Sequence, residues 1–200
     1  VKKVAEAMGM NVLVNDPPRE QEQGAEEFSD LETVLSQSDI ISIHVPFYKE
    51  GEFKTLDLID DSKLAKMKKN AWLVNSSRGG IILEKDLKKK LDKGGINAVL
   101  DVWDDEPNID LELMKMCKVV SSHIAGYSVD GKANGTSMSV RHIAEFFDLN
   151  LKKWQASNLP LENKKILVKE GQQGLIEAVK EAYDLVEDDQ KVRLTPETFE

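Results

Sequence analysis

Side chains that could handle a small carboxylic acid and its protons come from separate stretches of the sequence: Arg78, Glu106 and His123. The guanidinium of Arg78 could hold a carboxylate through two parallel hydrogen bonds, which a lysine cannot do. His123 could donate or accept a proton, because an unperturbed imidazole titrates near neutral pH. Glu106, if it meets that imidazole, would orient the ring and favour its charged form. Together these side chains could position a small acid and move a proton.

Each of these residues also has an ordinary structural interpretation. Arg78 could be a surface arginine beside a turn, since Gly79 and Gly80 allow a tight turn there. His123 could be a hydrogen-bonded loop histidine, and Glu106 one of several solvated acids in the run around it. No His or Cys stands at ligand spacing beside that acidic run, so we expect no metal site.

Asp16 is a candidate for binding a nucleotide. A carboxylate at the end of a strand in a nucleotide-binding sheet can accept hydrogen bonds from the ribose hydroxyls of adenosine. It would repel a 2′-phosphate, which favours NAD over NADP, although Arg19 nearby could accommodate that phosphate. The alternative is an aspartate that begins a turn before Pro17 and Pro18. The residues alone leave both interpretations open.

The other histidines and the single cysteine indicate less chemistry. His44 could cap a strand, or the backbone beside it at Val45 could contact a cofactor. His142 falls on a predicted helix and is interpreted as structural, and Cys117 has no paired base in view that would make it a nucleophile. Because the chain has only this cysteine, it has no internal disulfide, which fits a reducing compartment and predicts a cytoplasmic protein.

Short apolar runs predict the strands that would position these residues. The predicted strands are residues 11–16, 39–45, 71–75, 96–102 and 118–122. Helical patterns lie between and after them: residues 1–8, a helix opened by a Ser29–Glu32 capping box, and residues 61–67, 84–93 and about 136–154. The last of these has Ile143, Phe146, Phe147 and Leu151 as its apolar stripe.

This alternation predicts an α/β fold with a doubly wound parallel sheet. The strands are continuous apolar runs, as expected when helices cover both faces. In such a sheet, ligands bind outside the carboxyl ends of the strands. The candidate residues each lie at or just past the end of a different strand, and we therefore expect them to converge on one crevice: Asp16, His44, residues 75–78, Asp101 and His123.

Beyond Trp154 the pattern changes. Residues 155–165 are typical of a linker, residues 166–168 predict a strand, and residues 174–186 predict a helix. About forty residues cannot comfortably bury a core of their own, so this piece is expected to pack on a partner or to belong to a larger domain. The chain also opens at Val1 inside a helical pattern, where a glycine-rich phosphate loop would precede it. We therefore expect a piece of a longer protein.

The charge balance excludes some classes of partner. The chain has 27 Lys and Arg against 36 Asp and Glu, a net charge of −9 and a pI near 5.0. This disfavours nucleic acid or an anionic membrane as a partner, because phosphate groups require a basic face. No apolar run approaches the roughly 20 residues of a membrane-spanning helix.

Residues 75–80, 101–107 and 123–126 resemble, in order and spacing, the signature of the D-isomer-specific 2-hydroxyacid dehydrogenases. The similarity covers essentially the whole chain. It implies a Rossmann-like NAD-binding domain, incomplete here, with NAD as the cofactor. Further similarity at residues 16–19, 44–51 and 127–136 implies a small phosphorylated hydroxy acid as the substrate.

The resemblance also implies roles for single residues. Arg78 would bind the substrate carboxylate, His123 would be the proton donor or acceptor, and Glu106 would be its partner. Tyr127 would contact the substrate. The implied NAD contacts are Asp16, the backbone at Val45, Asp101 and Gly126.

The implied organisation has three parts. Residues 1–127 would be a partial NAD-binding domain, residues 128–158 a helix returning to a substrate domain, and residues 159–200 part of a C-terminal α+β dimerisation domain. The full-length protein would be a homodimer that oxidises its substrate by hydride transfer to NAD. The alternatives are a family member acting on 3-phosphoglycerate or hydroxypyruvate, or an NAD-sensing regulator without catalysis. Because the phosphate loop is absent, we expect the piece itself to be inactive.

Overall fold

The computed structural model describes residues 1–159 and 166–196, which divide into two compact units. The first unit comprises Val1–Ser122 together with the described residues from Asp189 onward, and the second comprises the described residues between His123 and Asp188. A parallel sheet of four strands, in the order β1-β2-β3-β4, forms the centre of the first unit. Its strands are β1 (Ile40–Ile43), β2 (Ala71–Asn75), β3 (Ile96–Leu100) and β4 (Val119–Val120). The α/β class with a parallel sheet is thus confirmed.

Helices connect these strands. The first unit contains α1 (Lys2–Ala7), α2 (Pro17–Gln23), a 3-10 turn at Ala25–Glu27, α3 (Leu31–Gln37), α4 (Asp61–Leu64), α5 (Glu84–Asp92) and α6 (Leu111–Met116). The second contains α7 (Val129–Phe146) and α8 (Gly171–Ala182), and α9 (Leu185–Leu194) begins in the second unit and ends in the first. No helix in the described ranges is long and apolar enough to cross a membrane.

The core of the first unit lies between the sheet and its connecting helices. Buried side chains from both layers meet there: Leu35, Ile41, Leu64, Leu73, Leu87, Leu100 and Leu113. The other face of the sheet is only partly covered. Ile40 and Trp72, which are opposite each other in the register, are 52% and 38% exposed. Helix α1 buries none of its residues, so its predicted apolar stripe does not pack inward.

The predicted strand at residues 11–16 is wrong. No backbone hydrogen bond in the described part of the chain joins this segment to β1, so the apolar run is not paired with a strand of the sheet. The Ser29 amide, which lies outside this segment and the helices beside it, donates to the Val14 carbonyl oxygen at 2.7 Å. A strand exists only with a partner, and composition cannot supply one.

Two helices are capped by other residues than the sequence predicted. Asp30, not Ser29, caps α3, because its carboxylate accepts from the Thr33 amide at 2.7 Å. Helix α7 begins seven residues before its predicted start, at Val129, because the Ser128 hydroxyl accepts from the Gly131 amide at 2.9 Å. It ends at Phe146. Its predicted apolar stripe is solvent-facing, with Ile143, Phe146, Phe147 and Leu151 between 45% and 82% exposed.

The C-terminal segment differs from its prediction too. Residues 166–168 form no strand, and the Leu167 side chain is 89% exposed. The single helix predicted at residues 174–186 is replaced by α8 and α9, which are separated at Tyr183 and Asp184. The second half of the predicted linker, residues 160–165, lies outside the described residues.

Candidate active site

The turn after β2 presents Arg78. Asn75, the last residue of β2, is 2% exposed, and its side-chain amide donates to the Arg78 carbonyl oxygen at 2.9 Å. Its side-chain oxygen accepts from the amide and the hydroxyl of Ser77, at 3.1 and 2.8 Å. The buried amide therefore fixes the backbone of the turn, while the Arg78 side chain is exposed and donates to the Ser77 carbonyl oxygen at 2.5 Å. The turn backbone is thus held in place, and the guanidinium is accessible from solvent.

Gly79 brings this turn against the loop after β3. A Cβ atom at Gly79 would lie 1.9 Å from the Trp103 carbonyl oxygen, so no larger residue fits without moving one of the two backbones. Gly80 has φ +76°, a left-handed conformation that favours glycine, and its Cβ position lies 2.8 Å from the Phe47 ring. The loops after β1, β2 and β3 therefore pack together at the carboxyl edge of the sheet.

The loop after β3 holds Glu106. The Trp103 amide donates to the Glu106 carboxylate at 2.8 Å, and the Trp103 indole donates to the Ser121 carbonyl oxygen at 3.3 Å. Asp101, which is 5% exposed, accepts from the Ser121 hydroxyl at 2.6 Å. Ser121 thus joins the end of β4 to the loop after β3. The Arg78 turn and the Glu106 carboxylate both contact the backbone of Trp103, so these two elements are brought together.

Glu84, the first residue of α5, was not singled out in the sequence. Its carboxylate accepts from the Asp104 amide at 2.8 Å. Burial raises the pKa of Glu84 to about 7, and the nearby carboxylates of Asp104, Asp110 and Glu106 act in the same direction, against the lowering effect of the Asp104 amide. Burial also raises the pKa of Asp104. The one sequence signal was the start of a predicted helix at residue 84, which says nothing about burial.

The end of β1 carries His44 and Val45. The His44 Nε2 atom lies 2.8 Å from the Ser42 hydroxyl, and loss of hydration lowers the pKa of His44. Val45 is half-buried against the core, so its backbone is held at the edge of the sheet. The Thr55 hydroxyl steadies the following loop by donating to the Pro46 carbonyl oxygen at 2.6 Å.

Asp16 does not lie at the end of a strand of the sheet. Its carboxylate caps α2 by accepting from the Arg19 amide at 3.2 Å, and the Arg19 guanidinium lies 3.9 Å from it. The side chain remains 35% exposed. The structural alternative for Asp16, an acid that begins a turn before two prolines, is therefore realised as a helix cap.

The remaining candidate residues belong to the second unit. His123 has φ +55°, and the Tyr127 amide donates to the Ile124 carbonyl oxygen at 2.8 Å. Tyr127 is 69% exposed, its ring lies 3.3 Å from the Lys132 ammonium, and a hydrogen bond from Lys132 lowers the pKa of the phenol. Apart from Gly126 and its two chain neighbours, no described residue has an atom within 4 Å of the Gly126 Cβ position. The approach of His123 to Arg78 and Glu106 stays a prediction.

The environment of Cys117 does not suit a nucleophile. The Cys117 thiol is 5% exposed, and burial raises its pKa to about 12, so it is a poor nucleophile. His142 is exposed on α7. Within residues 1–159 and 166–196, no group of three or more His, Cys, Asp or Glu side chains is placed to hold a metal ion.

Comparison with known proteins identifies the first unit. Residues 1–125 match the family described as D-isomer specific 2-hydroxyacid dehydrogenase, NAD binding domain. This match confirms NAD as the predicted cofactor.

Curated relatives extend the similarity along the chain. Erythronate-4-phosphate dehydrogenase of Bacteroides thetaiotaomicron is 38% identical over 201 aligned residues, which cover 100% of this chain and 56% of that protein. The enzyme of the same name from Shewanella oneidensis is 40% identical, over 94% of this chain and 51% of that protein. The chain thus spans about half the length of the curated relatives it matches.

Solved structures agree with this assignment. D-lactate dehydrogenase of Aquifex aeolicus, complexed with NAD and lactic acid, superposes with a TM-score of 0.60 at 25% identity, over 76% of this chain and 50% of that one. The apo form of D-mandelate dehydrogenase of Rhodotorula graminis gives a TM-score of 0.55 at 29% identity, over 76% of this chain and 44% of that one. Sequence motifs, sheet topology and relatives therefore converge, and the chain belongs to the D-isomer specific 2-hydroxyacid dehydrogenases.

Proposed function

We propose that the protein containing this chain oxidises 4-phospho-D-erythronate to 2-oxo-3-hydroxy-4-phosphobutanoate with NAD, as a step in pyridoxal phosphate (vitamin B6) biosynthesis. The names of the curated relatives, at 38% and 40% identity, support this substrate. The observation that carries the proposal is the packing of Gly79 against Trp103, since it places the Arg78 turn and the Glu106 loop at one edge of the sheet.

The proposed chemistry is a hydride transfer from C2 of the substrate, for which NAD would supply the hydride acceptor when bound. Arg78 binds the substrate carboxylate through both arms of its guanidinium, which holds C2 in place. His123 takes the proton of the 2-hydroxyl group as that oxygen becomes a carbonyl. Glu106 accepts a hydrogen bond from the protonated imidazole and favours its charged form. Tyr127 adds a further contact to the substrate.

The carboxyl edge of the sheet supports NAD binding by this chain's residues. The backbone at Val45 is fixed against the core, and the buried Asp101 carboxylate is already oriented by the Ser121 hydroxyl. The partly exposed Asp16 carboxylate would accept from ribose hydroxyls, with Arg19 on its other side. Gly126, with open space at its Cβ position, would allow the backbone to approach the cofactor closely.

We also propose the wider organisation that the family implies. Residues 1–127 would belong to the NAD-binding domain, residues 128–158 would return to a substrate domain, and residues 159–200 would belong to a dimerisation domain of a cytoplasmic homodimer. Size-exclusion chromatography with light scattering on the product of the complete gene would measure the mass, and a monomer would contradict the homodimer.

Steady-state kinetics on the product of the complete gene test the proposed function. We expect NAD reduction with 4-phospho-D-erythronate and little with 3-phospho-D-glycerate. His123→Ala should lower kcat by about 10²- to 10⁴-fold, because the proton acceptor is lost, with NAD affinity nearly unchanged. The matched control is His142→Ala, an exposed histidine on α7 that should leave kcat unchanged. Equal turnover of His123→Ala and the unaltered protein would contradict the assigned role.

A further inference from the structure

The end of α9 is attached to the first unit by an ion pair that bonds to backbone groups. The Asp189 carboxylate accepts from the Val120 amide at 2.7 Å and from the Arg193 guanidinium at 2.9 Å. Arg193 also donates to the carbonyl oxygens of Met114 and Cys117, at 3.0 and 2.9 Å. The Asp189 and Arg193 side chains are 16% and 28% exposed. One arginine therefore binds the end of α6, and its aspartate partner binds the adjacent strand.

Strand β4 needs such a partner. It has only two residues, which pair with Val99 and Leu100 of β3. Its other edge has no neighbouring strand among the described residues. There the Asp189 carboxylate takes the place of a strand by accepting from Val120, and a hydrogen bond to an ionised acceptor is stronger than one between neutral groups.

The residue after Val120 connects this contact to the candidate active site. Ser121 donates through its hydroxyl to Asp101, and its carbonyl oxygen accepts from the Trp103 indole. The Trp103 amide in turn donates to Glu106. A continuous series of hydrogen bonds and adjacent residues thus leads from Arg193 to the Glu106 carboxylate.

We propose that Asp189 and Arg193 are positioning residues of the candidate active site, which hold β4 so that Ser121 orients Asp101, Trp103 and, through Trp103, Glu106. This inference rests on the proposed function of Glu106. It assigns a role in the dehydrogenase to residues outside the matched NAD-binding domain, which ends at residue 125. The pair acts through other residues and touches no reacting atom.

Reactivity of the Cys117 thiol measures whether α9 is docked. Cys117 is the only cysteine of the chain, its side chain is 5% exposed, and its carbonyl oxygen is bound by Arg193. With Ellman's reagent on the 200-residue chain, Asp189→Ala should react about tenfold faster, because Val120 and Arg193 both lose a charged partner. Asp189→Asn keeps an acceptor oxygen for Val120 and should stay within about threefold of the unaltered chain.

Two further variants keep this test decisive. Asp188→Ala, on the same helix, removes a carboxylate that bonds to the Tyr183 hydroxyl and should leave the thiol rate unchanged. If Asp189→Ala does not fold, Arg193→Lys replaces it, since lysine keeps the charge but loses the fork that reaches two carbonyl oxygens. A thiol rate in Asp189→Ala equal to that of the unaltered chain would overturn the docking role, and so would an equal rate in Arg193→Lys where that variant replaces it.

Amide hydrogen exchange separates positioning from docking. In Asp189→Ala, exchange at Val120 and at Trp103 should both quicken by about tenfold, whereas Leu73 in β2 should not change. Faster exchange at Val120 with Trp103 unchanged would overturn the positioning role.

In the product of the complete gene, Asp189→Ala should lower kcat with little change in KM for NAD, and Asp189→Asn should restore kcat.

The outcomes also distinguish this inference from the proposed function. An unaltered protein without turnover would contradict the proposed function, and the link from Asp189 to Trp103 would still be decided by exchange. Normal turnover with an unchanged kcat in Asp189→Ala would leave the proposed function standing and overturn the positioning role.

Discussion

Arg78 illustrates how neighbouring residues fix the backbone around a candidate binding residue. The buried Asn75 side chain takes up the polar groups of the turn, so the backbone is fixed before any ligand arrives. The guanidinium is left exposed at the edge of the sheet. The sequence suggested this residue because arginine beside two glycines suits a carboxylate clamp, but Asn75 as the buried support was seen only in the structure.

Arg78→Lys tests the clamp. Lysine retains the charge but cannot form two parallel hydrogen bonds, so kcat/KM for the hydroxy acid should fall by about 10- to 100-fold, with the thermal midpoint unchanged. Steady-state kinetics on the product of the complete gene measure this. Unaltered kinetics would show that Arg78 makes no bidentate contact.

Glu84 gives a prediction about pH. Its folded pKa, about 7, lies above the ordinary value of 4.5, so the folded state favours the neutral acid. The stability that Glu84 contributes is therefore present below about pH 4.5 and is lost as the pH rises towards 7. Glu84→Gln stays neutral and keeps an acceptor for the Asp104 amide. Its free energy of unfolding should exceed that of the unaltered chain by about 1 kcal/mol at pH 8, a value reduced because the carboxyl is partly solvated.

Urea unfolding at pH 5 and pH 8 measures the effect. Glu22→Gln, at an exposed position on α2, is the control and should show no such pH-dependent difference. A Glu84→Gln variant that is less stable than the unaltered chain at pH 8 would show that the Glu84 carboxylate is stabilising.

At the scale of elements, the apolar pattern predicted a strand correctly where neighbouring strands exist to pair with it. Strand β2 was predicted with its observed bounds, and it pairs with β1 on one side and β3 on the other. Residues 11–16 and 166–168 have a similar apolar composition but find no strand beside them. Pairing is a non-local property, so apolar runs alone could not separate these cases. The start of α3 was missed for a smaller reason, the choice between the adjacent capping residues Ser29 and Asp30.

The contact between the loops after β2 and β3 is tested by Gly79→Ala. The added methyl group would lie 1.9 Å from the Trp103 carbonyl oxygen, so one backbone must move, and we expect a loss of about 2–4 kcal/mol in the free energy of unfolding. Gly135→Ala is the matched control. This glycine lies inside α7 with open space at its Cβ position, and alanine should stabilise the chain by about 0.5–1 kcal/mol. Equal effects of the two substitutions would contradict the close approach.

At the scale of the whole molecule, the chain returns to its first unit after leaving it. The bonds from α9 to the end of α6 and to β4 join residues 69, 76 and 79 positions apart. No periodicity or motif within a short window predicts contacts over such separations. The sequence accordingly indicated a C-terminal piece without a core, whereas Val192 is 8% exposed among the core residues of the first unit.

Val192→Ala tests this return. Loss of two buried methyl groups should lower the free energy of unfolding by about 2 kcal/mol. Val186→Ala, on the same helix but 59% exposed, should change it by less than about 0.5 kcal/mol. Chemical denaturation of both variants measures the difference. Equal effects would place the end of α9 outside the core.

The two borders of the sheet have different consequences for handling the protein. The border at β4 is closed by Asp189, whereas β1 at the other border pairs only with β2 among the described residues and carries the exposed Ile40. Unprotected apolar strand borders recruit identical strands from other molecules, which leads to fibrillar or amorphous precipitation. Storage at high concentration should therefore produce light scattering that grows with time. Ile40→Lys should slow this growth, because it places a charge at the border where a strand of another molecule would pair.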